Sequence, residues 1–319
     1  MASPLVAGQA ALVRAAAPHL TPDQVEERIR DTSARPDSEI DRRVDAAASV
    51  RAFAAAPNPI DETSTYVRQQ YLDFLNRAPD ADGLRHWSQG LAACGADADC
   101  VRAHRVNVSA AFFHSIEFQE TGYFVYRMHK AAFGNLAGKP VPVRYEEFMP
   151  DSQQLSEGVV VGTPGWFLRL HGNRTAYRLD FTRRPRFLAE YPADMPPAAY
   201  VDKLASKAGL ALTGPERADL LALFDGRPAE LARAHVLERV ADHPALVARE
   251  FREAFVLMQY FGYLRRDPDA VGFDGQPDPA FNGFGYWLGK LNEHDGDYAR
   301  AEMVRAFIES IEYRQRFRS

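Results

Sequence analysis

The strongest constraint on the fold is a motif that occurs twice, once near each end of a 319-residue chain. Both copies carry an aromatic-leucine helix end, an arginine, a Pro-Asp turn, a glycine and a tryptophan, in the same order. In the first copy the motif residues are Arg77, Pro79, Asp80, Gly83 and Trp87. In the second copy they are Arg266, Pro268, Asp269, Gly283 and Trp287. Recurrence of this kind predicts a fold assembled from repeated units that pack on one another.

The spacing of apolar residues inside the repeats predicts helices. One helical face is formed by Val67, Tyr71, Phe74 and Leu75. Pro79 cannot lie inside a helix, and Gly83 is expected to permit a turn before a second helix that begins near Trp87. We therefore expect a mainly α fold of helical repeats joined by short Gly/Pro loops. At most one short extended segment is expected, in the β-branched run at residues 158–166.

Repeats and composition divide the chain into five predicted segments. A small-residue, proline-bearing stretch marks a linker after the N-terminal piece. A degenerate middle copy is indicated by Tyr200 and by Arg233, which we match to Arg102. The predicted segments are an N-terminal piece at 1–53, a linker at 54–63, a first repeat at 64–122, a degenerate middle repeat with an insertion at 123–253, and a last repeat at 254–319.

Composition excludes several classes of protein. A hydrophobic content of 46% with 25% charged residues is typical of an ordinary globular chain. The formal net charge of -5 gives no electrostatic reason to expect a nucleic-acid partner. No apolar run is long enough to span a membrane. A secretory signal is not expected at the N-terminus, because Met1 is followed by small residues without a charged region.

The two cysteines, Cys94 and Cys100, lie six positions apart in a polar loop. A zinc site built from these thiols alone is not expected, because zinc takes about four ligands and no histidine pair has matching spacing. The remaining alternatives are a disulfide and two free thiols. The disulfide is favoured, because cysteines so close together are able to bond, and it suits an exported protein.

Aspartates in the last copy form a second candidate site. They are Asp267, Asp269, Asp274 and Asp278. Carboxylates gathered in one loop are the ligands that calcium prefers, but the spacing and closing glutamate of an EF-hand are absent. Aspartate also caps helices and fixes turns through its own backbone. We interpret these residues as turn formers and keep calcium open as the alternative for this loop.

The recurring aromatic residues have two interpretations. The set comprises Trp87, Trp287, Phe74, Tyr263 and Tyr286. These residues form either a sugar-binding platform or part of the hydrophobic core. Their helical spacing next to leucines favours the hydrophobic core.

The two motif arginines are also expected to be structural. Arg77 and Arg266 are predicted to cap helix-end carbonyls and to pair with the Pro-Asp carboxylates. The alternative is anion binding, but the sequence around these arginines contains neither a glycine-rich loop nor a cluster of partner residues for an anion. No complete catalytic motif, phosphate-binding loop or dinucleotide fingerprint is present, so we expect neither catalysis nor a cofactor.

The N-terminal piece resembles part of a peptidase. Residues 1–8, Met-Ala-Ser-Pro-Leu-Val-Ala-Gly, are similar to the sequence that follows the nucleophile in subtilisin-like serine peptidases, and residues 44–50 resemble a closing helix of that domain. The resemblance covers about residues 1–53 and implies a remnant, because the catalytic Ser, His and Asp of the family have no counterpart. We expect a truncated product, from an exported or cell-surface parent, without peptidase activity.

From residue 64 onward the chain resembles the repeats of the bacterial domain of unknown function 4214. The resemblance is strong at both ends and weak in the middle, and it implies an all-helical fold similar to phycobilisome linker domains. That family has no assigned catalytic residues. We therefore expect a non-catalytic interaction or spacer module whose partner is a protein or a cell-surface component. The alternative is a carbohydrate-binding or hydrolytic accessory domain that uses the aromatic and Asp-rich loops.

Overall fold

The structure is a computed structural model that describes residues 3–16, 21–31 and 58–318. Every regular element within these ranges is helical, which confirms the mainly α fold. The chain divides into two compact units, Met1–Glu62 with Phe317–Ser319, and Thr63–Arg316. The predicted helix at residues 44–50 and the linker residues 54–57 lie outside the described ranges.

The helices are short, and those within residues 63–315 are separated by loops of one to eleven residues, apart from the longer loop 265–281. One 3₁₀ turn spans Pro59–Asp61, and a π-helical turn, Tyr260–Leu264, extends α14. The α-helices are α1 Ser3–Ala16, α2 Pro22–Asp31, α3 Thr63–Phe74, α4 Ala81–Ala92, α5 Ala98–His114, α6 Ile116–Glu120, α7 Gly122–Phe133, α8 Tyr145–Ser156, α9 Trp166–Arg183, α10 Pro185–Glu190, α11 Pro197–Ala208, α12 Gly214–Ala222, α13 Ala229–Ala241, α14 Pro244–Gln259, α15 Asn282–Glu293, α16 Met303–Ile308 and α17 Ile311–Gln315.

The two α-helices that the structure describes in the N-terminal unit pack on each other. Val13 of α1 and Val25 and Ile29 of α2 form a small buried cluster. Helix α2 begins at Pro22, and the Thr21 hydroxyl accepts a hydrogen bond from the Gln24 amide at 3.3 Å, as an N-cap residue does.

Helix α7 is the centre of the larger unit and is buried on nearly all sides. It contacts α6, α8, α11, α13 and α14. Because nearly every residue of this helix is buried, its polar side chains need internal partners. Arg127 donates to the Ala241 carbonyl at 3.1 Å and to the Asp242 carboxylate at 2.8 Å.

The predicted middle repeat and the first repeat contain one hydrogen bond of the same kind. In the first copy the Tyr66 hydroxyl donates to the Arg105 carbonyl at 2.8 Å, and in the middle copy the Tyr200 hydroxyl donates to the Arg233 carbonyl at 2.9 Å. By this contact Arg233 takes the place of Arg105, whereas the sequence match pairs it with Arg102, about one helical turn earlier. Both alignments place an arginine on the third helix of the repeat, so spacing alone did not separate them.

The β-branched run at residues 158–166 forms turns and no strand. Its glycines, Gly158, Gly162 and Gly165, all have positive φ, which interrupts any extended backbone. Two successive turns follow, closed by Thr163 N–H to the Val160 carbonyl and by Trp166 N–H to the Thr163 carbonyl. Backbone conformation at the glycines thus overrides the strand preference of the valines.

The first and last copies pack against each other inside the larger unit. The Tyr263 hydroxyl donates to the Gln70 side chain at 2.9 Å, and the Phe74 and Tyr263 rings meet edge to face at 5.3 Å. Asp73 is buried and pairs with Arg265 at 2.7 Å and with Arg316 at 3.0 Å. The expectation that Phe74 and Tyr263 are core residues agrees with this packing.

Candidate functional site

The first-copy turn is organised by a paired arginine and glutamate. Arg77 donates two hydrogen bonds to the Glu117 carboxylate, at 2.6 and 2.9 Å, and its guanidinium lies 4.9 Å from the Tyr71 ring centre. Burial disfavours the charged form, but the hydrogen bonds and charge of Glu117 outweigh it and raise the pKa of Arg77. Asp80, the expected Pro-Asp partner, lies at 3.5 Å and is secondary.

The last copy repeats this arrangement. Arg266 donates to both carboxylate oxygens of Glu312, at 2.6 and 3.0 Å, and also to the Asp267 carbonyl at 3.0 Å. Sequence reasoning missed both glutamates. The available signal was that each follows a serine by two positions, since Ser115 caps the helix of Glu117 and Ser310 caps the helix of Glu312. Bidentate pairs of this kind fix geometry as well as charge.

The two motif glycines lie inside helices and do not form turns, which corrects the sequence prediction. Helix α4 begins at Ala81, so Gly83 is in its first turn, where its amide donates to the Asp80 carboxylate at 2.7 Å. A side chain on Gly83 would overlap the Tyr71 hydroxyl, and one on Gly283 would lie 2.9 Å from the Tyr260 hydroxyl. Glycine is required at both positions because a tyrosine hydroxyl approaches closely, and not because the backbone has a positive φ.

The two tryptophans occupy equivalent places and are half-buried. Trp87 lies 5.8 Å from the Phe112 ring centre, and Trp287 lies 5.8 Å from the Phe307 ring centre. One side of each indole therefore packs on the third helix of its own repeat. The remaining side is accessible, so the tryptophans combine a packing role with an exposed surface.

An apolar hollow adjoins Trp287 in the last copy. It encloses ≈ 310 Å³, and its walls include Tyr260, Leu264, Val271, Phe273, Trp287 and Phe307. Phe273 is 71% exposed and meets the ring of Tyr286, itself 48% exposed, at 5.6 Å. The loop between Asp269 and Asn282 supplies Val271 and Phe273. In the first copy only Ala81 and Asp82 separate Asp80 from Gly83, so the apolar residues of the longer loop have no counterpart.

A polar hollow of ≈ 450 Å³ also adjoins Trp287, which lines both cavities. Its charged residues are Lys290, Arg300, Glu302, Arg305 and Glu309. Lys290 pairs with Glu293 at 2.7 Å, and Arg305 pairs with Glu302 and Glu309, each at 3.2 Å. The exposed Arg300 side chain makes no ion pair within residues 58–318. We call the two hollows together the Trp287 groove.

The calcium candidates have protein partners. Asp269 pairs with Lys139 and Arg144, both at 2.6 Å, and the Asp267 carboxylate accepts the Tyr145 amide at 2.9 Å. Asp278 accepts the Gly283 amide at 2.9 Å, and Asp274 accepts the Gln276 amide at 3.0 Å. Asp274 and Asp278 therefore fix their own loop and the start of α15, in agreement with the interpretation as turn formers. Asp267 and Asp269 instead bind the segment that leads into α8, so their contacts are tertiary. Two cations beside Asp269 disfavour a further cation there.

The cysteines are bonded to each other in the structure. The sequence interpretation did not include His104, whose Nδ1 atom lies 3.4 Å from the Cys94 sulfur and 3.7 Å from the Cys100 sulfur. Cys100 and His104 are four residues apart in α5, which places them on one helical face.

A buried polar cluster beneath α7 was also missed. The Asp151 carboxylate accepts hydrogen bonds from His129, Tyr177 and Arg184 at 2.7–2.9 Å. Burial acts to raise the pKa of Asp151, but His129 and Arg184 outweigh it and lower that pKa to about 2. The residues come from three separate segments of the chain, namely α7, α8 and the C-terminal part of α9 with the residue after it, so no local motif indicates them. Their enclosure favours a structural role.

Comparison with known proteins places one part of the chain. Residues 56–122 match a family model described as Domain of unknown function (DUF4214). No curated protein and no solved structure matches the chain. The matched stretch contains α3 to α6 and hence the Arg77–Glu117 pair and Trp87. Its family description assigns no catalysis, which is consistent with a non-catalytic module.

The described helices were also compared with the requirements for crossing a bilayer. None within residues 3–16, 21–31 and 58–318 combines the necessary length and hydropathy.

Proposed function

We propose that this chain is a non-catalytic helical interaction module that binds its partner through the Trp287 groove. The observation that carries the proposal is the difference between the two copies of the motif. Both copies keep the paired arginine and glutamate, the glycine and the tryptophan, which make contacts within each repeat. The last copy alone has the loop that adds Val271 and Phe273 beside the tryptophan. Exposed apolar side chains next to a concave surface are typical of binding sites.

The partner we propose is a protein segment that carries a bulky apolar side chain next to a carboxylate. The apolar hollow, at ≈ 310 Å³, suits one large side chain, and Phe273 and Tyr286 supply aromatic contact area. At the polar hollow Arg300 is the cation not already paired, whereas Lys290 and Arg305 have acidic neighbours. Charge complementarity therefore favours an acidic neighbour to the apolar anchor.

The test uses fluorine NMR of protein labelled with 5-fluorotryptophan, because the chain contains three tryptophans. The Trp287→Phe variant assigns the resonance of the groove. The acidic probe is the hexapeptide Gly-Asp-Phe-Leu-Asp-Gly, and the basic probe replaces both aspartates with lysine. We expect the acidic probe to shift the Trp287 resonance and to leave the Trp87 resonance unchanged, because the first copy lacks the inserted apolar loop.

The controls separate this proposal from its alternative. Equal shifts with the acidic and basic probes would contradict the role of Arg300, and no shift with either would contradict the groove as a peptide site. Chitotriose serves as the third probe. A Trp287 shift with the sugar and none with the peptides would favour the carbohydrate-binding alternative, for which the exposed ring of Tyr286 beside Trp287 is the supporting contact.

We further propose that the module belongs to the C-terminal region of an exported subtilisin-like parent protein. The support is the resemblance of residues 1–53 to the subtilisin-like family. Helices α1 and α2 lie where that resemblance leads us to expect helices. Sequencing the coding DNA upstream of Met1 tests it. An in-frame Gly-Thr-Ser directly before Met1 would support the parent, and an in-frame stop codon there would contradict it. The chain itself is expected not to react with a fluorophosphonate probe, and labelling would contradict a non-catalytic role.

A further inference from the structure

Cys94, Cys100 and His104 bring three potential metal ligands together at the junction of α4 and α5. Within the described part of the chain this is the only group of three or more His, Cys, Asp or Glu side chains whose ligand atoms all lie within 4.8 Å of one another. We propose that reduction of the Cys94–Cys100 disulfide converts this group into a zinc site with these three residues as ligands. The site is independent of the Trp287 groove.

The distances to His104 already fit a tetrahedral ion. With Zn–S near 2.3 Å and Zn–N near 2.0–2.1 Å, a sulfur and a nitrogen on one tetrahedral zinc lie about 3.6 Å apart. The His104 Nδ1 atom is 3.4 Å from one sulfur and 3.7 Å from the other. The two sulfurs must be about 3.8 Å apart around the same ion, and cleavage of their bond allows that separation.

The backbone holds two of the three ligands in place. Cys100 and His104 lie on successive turns of α5, whose first turn is capped by Asp97 through the Cys100 amide at 3.0 Å. Cys94 follows the end of α4, and its amide bonds to the Leu91 carbonyl at 3.2 Å. Only the short loop between Cys94 and Asp97 has to adjust. Rigid support of ligands lowers the cost of ordering them around an ion.

The chemistry balances with a dithiol or phosphine as the reductant. Two electrons and two protons convert the disulfide into two thiols. A dithiol supplies both and becomes a disulfide, whereas a phosphine supplies the electrons and becomes a phosphine oxide, with the oxygen and the two protons taken from one water molecule. Zinc then displaces both thiol protons and binds two thiolates, with the imidazole as third ligand and water as the fourth. His104 binds through Nδ1 when its proton is on Nε2, so its contact of 3.2 Å with the Cys100 carbonyl is given up.

The proposal also explains why thiol count alone was misleading. The sequence argument excluded zinc because two cysteines lack a histidine pair, whereas this geometry provides one histidine and leaves a position for water. In the last copy the position that corresponds to Cys94, by the alignment of Asp97 with Asp297, is His294, and no cysteine is present. That copy is therefore a natural control.

The experiment titrates cobalt(II), as a spectroscopic substitute for zinc, into the full chain before and after reduction with a phosphine. Reduced wild type is expected to bind one cobalt per chain, with thiolate charge-transfer absorption in the near ultraviolet, and zinc should displace the cobalt. Oxidised wild type should show no such absorption. His104→Ala should weaken cobalt binding by roughly tenfold or more, since one of three protein ligands is lost.

Two variants complete the test. His294→Ala should bind cobalt as wild type does, and Cys94→Ser with Cys100→Ser should lose the thiolate absorption under both conditions. Equal cobalt binding by reduced and oxidised wild type, or no binding by the reduced chain, would overturn the proposal. Unchanged binding in His104→Ala would overturn the assignment of the histidine. Circular dichroism of each reduced protein verifies that its helices are intact.

Discussion

Glu117 and Glu312 make the same bidentate contact in two copies of one motif, but they differ in burial. The Glu117 side chain is 4% exposed, and the Glu312 side chain is 42% exposed. We predict that Glu117→Gln strongly destabilises the larger unit, whereas Glu312→Gln has a small effect. Glutamine keeps the size of the side chain and removes the charge, so the pair of variants isolates electrostatics from packing.

The magnitudes follow from what each substitution leaves behind. Without the Glu117 charge, the guanidinium of Arg77 stays in a largely buried site with Asp80 as a weak partner at 3.5 Å. Breaking a buried pair in this way costs about 3 kcal/mol. Arg266 is as buried as Arg77, but its partner Glu312 lies partly in solvent, so water screens this pair and can replace the lost carboxylate contact. Loss of the Arg266–Glu312 pair therefore costs less, about 0.5 kcal/mol. For a unit of this size these values correspond to drops in Tm of about 10 °C and about 2 °C.

Urea unfolding followed by circular dichroism at fixed pH measures both free energies of unfolding, with the m-value as a check on cooperativity. The Val161 amide, which donates to Glu117 at 3.2 Å, can still donate to the glutamine oxygen, so the measured loss belongs to the ion pair. Similar destabilisation by the two substitutions would refute the reasoning, because it would show that burial does not set the strength of these pairs.

Three further predictions concern stability. Gly83→Ala should destabilise the larger unit, because the added methyl group overlaps a tyrosine hydroxyl. Gly285 lies in a helix with open space around it, so Gly285→Ala should raise the free energy of unfolding in urea by about 0.5–1 kcal/mol. Folding lowers the pKa of Asp151, so its carboxylate should contribute about 2 kcal/mol to the free energy of unfolding above pH 4 and lose this contribution as pH falls towards 2. Asp151→Asn should lack this pH dependence when unfolding is measured across that range. Trp287→Ala should lower the thermal midpoint in circular-dichroism melts by several degrees, because it removes the packing on Phe307. Arg183 is exposed, so Arg183→Ala should leave the midpoint unchanged. Equal midpoints for the two variants would contradict the packing role of Trp287.

The helical architecture could be predicted because it depends on the spacing of apolar residues along short stretches of the sequence. The face formed by Val67, Tyr71, Phe74 and Leu75 is buried as its spacing predicts. Repetition of the motif identified the first and last copies, because both preserve the residues that fix the turn. The start of α4 was placed too late, since glycine was taken as a turn former when its role is to admit a tyrosine hydroxyl.

The sites were less predictable, because their residues come together only in three dimensions. Glu117 lies 40 positions from Arg77, and His104 reaches the disulfide through helical geometry. The groove depends on which side chains of the inserted loop remain exposed. Val271 and Phe273 stay at the surface although they are apolar, and no periodicity in a loop distinguishes an exposed apolar residue from a buried one.

The most direct test of the proposed function is the affinity of the labelled acidic hexapeptide, measured by fluorescence polarisation for wild type, Phe273→Ser and Leu168→Ser. Leu168 is a matched control, because it is exposed to a similar extent, 76%, and lies on α9, away from the residues that line the groove. Loss of a ring that becomes buried on binding should weaken Phe273→Ser roughly tenfold or more, and Leu168→Ser should bind as wild type does. Wild-type affinity in Phe273→Ser would contradict the assignment of the Trp287 groove as the binding surface.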